Sequence, residues 1–165
     1  MNFWHTLSLL LHLVALALWL GGIAFFLVVV GPALHEIEPG KAIRLLNQGR
    51  IAFEAVSWAG IALVMVTGMV NLVLRNQETN AHLGQHYMIL LSIKLLLFVT
   101  MLLHHSLQVF KYAPKISALT GQTDTDITSW PDPLQVLWKK WFMLLKINAT
   151  LGPIAILLGI ALIKA

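Results

Sequence analysis

Two ionisable side chains, His12 and Lys94, fall deep inside long apolar runs of this 165-residue sequence. A charge at that depth in lipid is costly, so a histidine or lysine held there is read first as part of a site. Imidazole ligates iron or copper through a ring nitrogen, and an ammonium neutralises a bound carboxylate. His5, His12 and Trp19 recur at seven-residue intervals and share a helix face; Lys94, Met101 and His105 do so at seven and four. His82 and His86 stand four apart, a spacing that serves a metal when the segment is helical. Thr67 and Asn71 form a polar stripe with Gly60 on another apolar run, and Asn148, Gly152 and Gly159 form one on the last.

Four elements must position these residues. Apolar stretches cover Phe3–Val30, Ala55–Leu74, Tyr87–Phe110 and Ile147–Ile163, and crossing a bilayer core takes ~20 helical residues. With flanking residues, the spans are expected at about 3–31, 50–75, 87–112 and 137–163. The expected class is an all-α integral membrane protein, a single domain built as a four-transmembrane-helix bundle. Gly31-Pro32 and Pro114 are expected to end the first and third helices. Ala42–Leu46 reads as a short interfacial helix, Asn76–Gln85 as a polar loop, and 113–135 as the longest loop. Trp138 to Trp141 reads as an interfacial anchor leading into the last helix.

Composition narrows the chemistry. Hydrophobic residues make up 58% and charged residues 11%, with a mean hydropathy of +0.80, a membrane composition. The net charge of +4 sits in loops, which fits lipid headgroups and not nucleic acid. Without cysteine there are no disulfides, thiolate metal sites or iron–sulfur clusters, so any ligation falls to the seven histidines and six methionines. The first apolar run lacks a basic leader and a small-residue cleavage site, so it is expected to be a retained helix. No nucleophile–base pair or phosphate-binding loop is present.

Depth follows from a rise of ~1.5 Å per residue. His12 and Lys94 each lie twenty residues before a proline, Pro32 or Pro114, so both are expected at one level. His5, His82, His86, Met69, Asn71 and Met88 belong to the same side as the N-terminus; His35, Glu54, His104 and His105 belong to the other. His5 and His12 cannot share an ion, because seven helical residues separate them by ~10 Å.

The run His12-Leu-Val-Ala-Leu-Ala-Leu-Trp19-Leu-Gly21-Gly22, continuing to Gly31-Pro32-Ala33, resembles the first helix of the copper-resistance CopD domain. Thr67-Gly68 and Lys94-Leu-Leu-Leu fit the same pattern. The spacing His12 to Trp19, and Lys94 to His105, is also similar to the membrane protoporphyrinogen oxidases of the HemJ type, although Val28 and Ser92 stand where those carry Arg and His. The HemJ likeness implies haem b and a membrane redox or electron-transfer step, with an enzymatic, haem-dependent oxidoreductase left open. His12 is then the preferred iron ligand, His86 and next His82 its partner, Lys94 the propionate partner, and Thr67 and Asn71 supporting hydrogen-bond groups, with His105 on the Lys94 face. The CopD likeness implies copper handling instead, with His5, His12, His82, His86, Met69 and Met88 on the outer side and His105, His104 and Glu54 within. A third reading is an accessory subunit of a larger membrane complex. The partners these readings imply are membrane lipid, a redox protein, a quinone or porphyrin, and a second copy or larger complex.

Lys41, Arg44, Arg50, Lys111, Lys115, Lys139 and Lys140 flank one side of the four spans, against Arg75 and Lys164 on the other. The positive-inside rule therefore predicts both termini outside, in a bacterial inner membrane. Reporter fusions at Ala165 and within 113–135 should report opposite sides; a C-terminus on the same side as that loop would reverse the assignment.

Overall fold

In the computed structural model, which describes residues 3–79 and 83–164, four long helices run back and forth. They are α1 (Phe3–Ala33), α2 (Pro39–Glu78), α3 (Gln85–Gln122) and α4 (Asp132–Lys164). Each is long and apolar enough to cross a membrane, and a helix alone satisfies its own backbone groups there. The protein is an all-α, multi-pass membrane protein.

The helices are longer than their hydropathy suggests, for local reasons. The proline rule ends α1 at Gly31-Pro32 and α3 near Tyr112, yet both continue through their prolines. In each, the turn before the proline widens into a π-type turn, Phe26–Val30 and Leu107–Tyr112. Gly31 N–H donates back to the Phe26 carbonyl, and Ala113 N–H to that of Gln108. The wider turn clears the pyrrolidine ring, which would otherwise meet the carbonyl four residues earlier. Pro39 starts α2, a position that suits proline. No proline follows it, so Ala42–Leu46 forms the first turns of α2 and is not a separate interfacial helix.

The 40 residues of α2 span ~60 Å, about twice a hydrocarbon core. The polar first turns of α2, the end of α3 and the start of α4 therefore stand beyond the lipid. The loop left between α3 and α4 covers only 123–131, and it seats on Gly40, where a Cβ would collide with the Thr125 backbone.

α1 packs along α2, and α3 along α4. The two hairpins join mainly in the half nearest the 34–38 and 123–131 connections, called here the loop half. Its core holds Trp19, Ile23, Phe26, Phe53, Ile116, Trp138, Trp141 and Leu145. The Phe26 ring lies 5.4 Å from Phe53 and 5.3 Å from Trp141, and each such aromatic pair adds roughly 0.5–1.5 kcal/mol beyond its buried area. Gly60 lets α1 and α2 pack closely: a Cβ there would stand 3.2 Å from that of Trp19. Beyond Trp19, in the terminal half, the buried side chains are mostly polar, including His5, Ser8, His12 and Thr67.

One buried ion pair ties the loop half together. Arg50, only 2% exposed, places Nη1 2.7 Å from both carboxylate oxygens of Glu54. Its Nη2 donates to Ser117 Oγ on α3 at 2.7 Å and to Asn47 Oδ1 at 2.9 Å. Arg50→Ala strands the Glu54 carboxylate, at an expected cost of ~3–5 kcal/mol, seen as a lower unfolding temperature in detergent. Replacing both partners by apolar residues, Arg50→Met with Glu54→Leu, should recover most of that loss. An Arg50→Ala protein as stable as the parent would show that Glu54 is solvated by other means.

Candidate functional site

His12 crosses the seam between α1 and α2. Its Nδ1 lies 2.8 Å from Thr67 Oγ1, while Thr67 Oγ1 donates its single hydrogen to the Leu63 carbonyl at 2.6 Å. The hydroxyl is therefore the acceptor and Nδ1–H the donor. The lone pair is left on Nε2, which makes no hydrogen bond to another described residue, although the Val64 carbonyl also lies close to the ring. An imidazole tied through one nitrogen in this way presents the other to a metal in a set orientation. Gly68 lies under the ring; a Cβ there would stand 3.5 Å from His12 Cε1.

Lys94 of α3 stands close enough to His12 to act on it electrostatically. Its Nζ rests over Gly159 of α4, where a Cβ would come within 3.2 Å. The half-buried ammonium has no ion-pair partner among the described residues. All four helices thus meet at one level, through His12, Thr67 with Gly68, Lys94 and Gly159.

A polar seam continues from this level towards the termini. Ser8 Oγ donates to the Thr67 carbonyl at 3.4 Å, and His5 Nδ1 lies 3.1 Å from Glu78 Oε1. Asn71, one turn beyond Thr67, has a buried Oδ1 without a partner. One turn further, the Arg75 guanidinium carbon lies 5.6 Å from the centre of the Tyr87 ring on α3. Sequence reasoning passed over Arg75, Tyr87 and Glu78. The even four-residue spacing of Thr67, Asn71 and Arg75 was the available signal, masked because Arg75 reads as an ordinary helix-end charge.

The other expected residues are not gathered here. His86 is exposed in the first turn of α3, eight residues or ~12 Å along the helix from Lys94, and His82 lies outside the described residues. Met69 and Met88 are exposed. His105 sits in the loop half, 1% exposed, its ring 5.1 Å from that of Trp58 and 6.2 Å from that of Phe53. His104 Nδ1 pairs with Asn148 Oδ1 at 3.0 Å, and Asn148 Nδ2 donates to the Met101 carbonyl at 3.1 Å, stitching α3 to α4. Among the described residues no group of three or more His, Asp or Glu could hold a metal. Of the metal candidates His5, His12 and His86, only His12 therefore combines an oriented ring with a free nitrogen.

Residues 50–163 match the copper resistance protein D (CopD) family. The chain belongs to the CopD family. The matched region takes in α2 from Arg50 and all of α3, with Thr67, Lys94 and Gly159, and leaves α1 and His12 outside it. No curated protein and no solved structure matches the chain.

Thr67→Val keeps the shape of the side chain and removes the acceptor that orients His12. Binding of added Cu(II) or haemin to this CopD-family protein should weaken about 10–100-fold, with helix content unchanged by circular dichroism. Thr67→Ser should restore it, and unaltered affinity in Thr67→Val would show that the hydroxyl does not orient the ligand.

Proposed function

We propose that this CopD-family protein binds haem b in the terminal half of its bundle and takes part in a membrane redox step. One observation carries the reading: an oriented imidazole with a free Nε2 faces the same level as an unpaired ammonium. A bare metal cation gains from the imidazole but is repelled by Lys94 across a low-dielectric gap. His12 would hold the iron of a haem and Lys94 would meet one of its carboxylates. Gly68 and Gly159 keep bulk away from both groups. When bound, haem b supplies a one-electron couple at iron.

The chain's own residues have simpler tasks. Thr67 holds the His12 ring and its tautomer, and Lys94 neutralises an acidic arm. The aromatic core from Trp19 inwards excludes water from the inner side. The reading rests on His12 as the protein ligand, since His86 is exposed further along α3. An electron partner of quinone, porphyrin or protein type fits such a site, and the Lys/Arg asymmetry supports its lying on the outer side of the membrane.

The family match favours a second reading, copper handling by the histidines of the two halves. Against it, the core cluster that holds Trp19, Ile61 and Met101, with Phe98 packed on it, offers one buried thioether among the described residues, and Met65 is exposed. Absorption spectra of protein purified in detergent, with metal analysis, decide between them. A Soret band with sharp reduced α and β bands is expected, and His12→Ala should lose haem or turn it high-spin while the protein still inserts. A colourless preparation carrying copper would replace the haem reading with the copper one; neither metal would leave the accessory-subunit role.

A further inference from the structure

Arg75 is a cation in the terminal half that the haem reading leaves unused. Thr67, Asn71 and Arg75 follow one another at four-residue steps on α2, and Thr67 is buried against α1, so the stripe faces inwards. Tyr87, itself 8% exposed, takes the guanidinium on its ring face, 5.6 Å from centroid to carbon. That contact holds the group in place but accepts none of its N–H hydrogens in their plane. Arg75 Nε is buried and has no partner, and no ion pair involves Arg75 among the described residues. Buried donors to a charged group are costly when unmet, and a guanidinium fork is best met by a carboxylate.

The geometry relates this demand to that of Lys94. Tyr87 and Lys94 are seven residues apart on α3, hence on one face and ~10 Å apart along the axis. Two unpaired cations, one from α2 and one from α3, therefore look into the same interval between the hairpins. Glu78, the carboxylate nearby on α2, is already engaged by His5 at 3.1 Å.

We propose that Arg75 and Lys94 divide between them the two carboxylates of a single ligand, a flat apolar body with two acidic arms. The proposal rests on the haem reading for the ligand's body and adds the residue that recognises its second arm. An anionic lipid headgroup offers Arg75 the same chemistry, so the test must separate the two.

Haem-free protein in phosphatidylcholine nanodiscs is titrated with metal-free protoporphyrin IX and with its dimethyl ester, following porphyrin fluorescence anisotropy. Without iron, His12 contributes nothing, so His12→Ala should bind the free acid as the parent does. The diacid should bind roughly tenfold or more tighter than the diester, the scale of one charge-assisted contact or more. Arg75→Gln should lose a large part of that preference, Arg75→Lys should keep most of it, and Arg75→Gln with Lys94→Met should abolish it. An unchanged preference in Arg75→Gln overturns the proposal. So does a preference that vanishes when a fifth of the lipid is phosphatidylglycerol, which assigns Arg75 to a headgroup. Haem content without any acid preference sinks the two-cation clamp alone; a protein that takes neither haem nor porphyrin sinks the haem reading with it.

Discussion

Hydrocarbon neither accepts hydrogen bonds nor solvates charge, and the arrangement of this bundle follows from that constraint. It makes the spans helical, and it also sorts the side chains. Polar groups from α1 and α2 turn towards each other and form one seam, with His12 on Thr67, Ser8 on the Thr67 carbonyl and His5 on Glu78. Thr67 satisfies its own hydrogen on the Leu63 carbonyl, which leaves it one role towards His12, that of acceptor. A single hydroxyl thereby sets the tautomer of the His12 imidazole.

The two halves of the bundle do different work. Trp19, Phe26, Phe53 and Trp141 fill the loop half with interlocking rings, and Arg50 joins α2 to α3 where the helices leave the lipid. Pro32 and Pro114 do not interrupt this scaffold, because a widened turn precedes each and the chain stays helical through it. The terminal half lies outside that aromatic core and buries mainly polar side chains, His5, Ser8, His12 and Thr67 among them. A rigid end and a less filled, charge-bearing end are what a bundle needs to hold a ligand between helices without losing its fold.

The family match starts within α2, yet the proposed site takes its imidazole from α1. Pairing between α1 and α2 is therefore what completes the site, and Gly60 allows that pairing by letting the two helices approach closely. The electrostatics point the same way as the sterics. Under the proposed function, Lys94 beside His12 would suit a ligand that carries negative charge along with an electron-accepting centre, with Gly159 leaving the ammonium room.

Hydropathy, period and charge count were enough to establish four spans, an all-α class and the shared level of His12 and Lys94, because lipid thickness and helical rise are the same for every sequence. Helix ends were less legible: Pro32 and Pro114 read as stops, and only the π-type turns before them explain why they are not. The interior partners were not legible at all. That Thr67 accepts from His12, that Arg50 clamps Glu54 and that Arg75 lies over Tyr87 depends on which faces of separate helices meet. Helical periodicity places residues on a face but does not say which neighbouring face lies opposite. The rotation and pairing of whole helices decide that, through the packing of Trp19 on Gly60 and of Phe26 on Phe53 and Trp141.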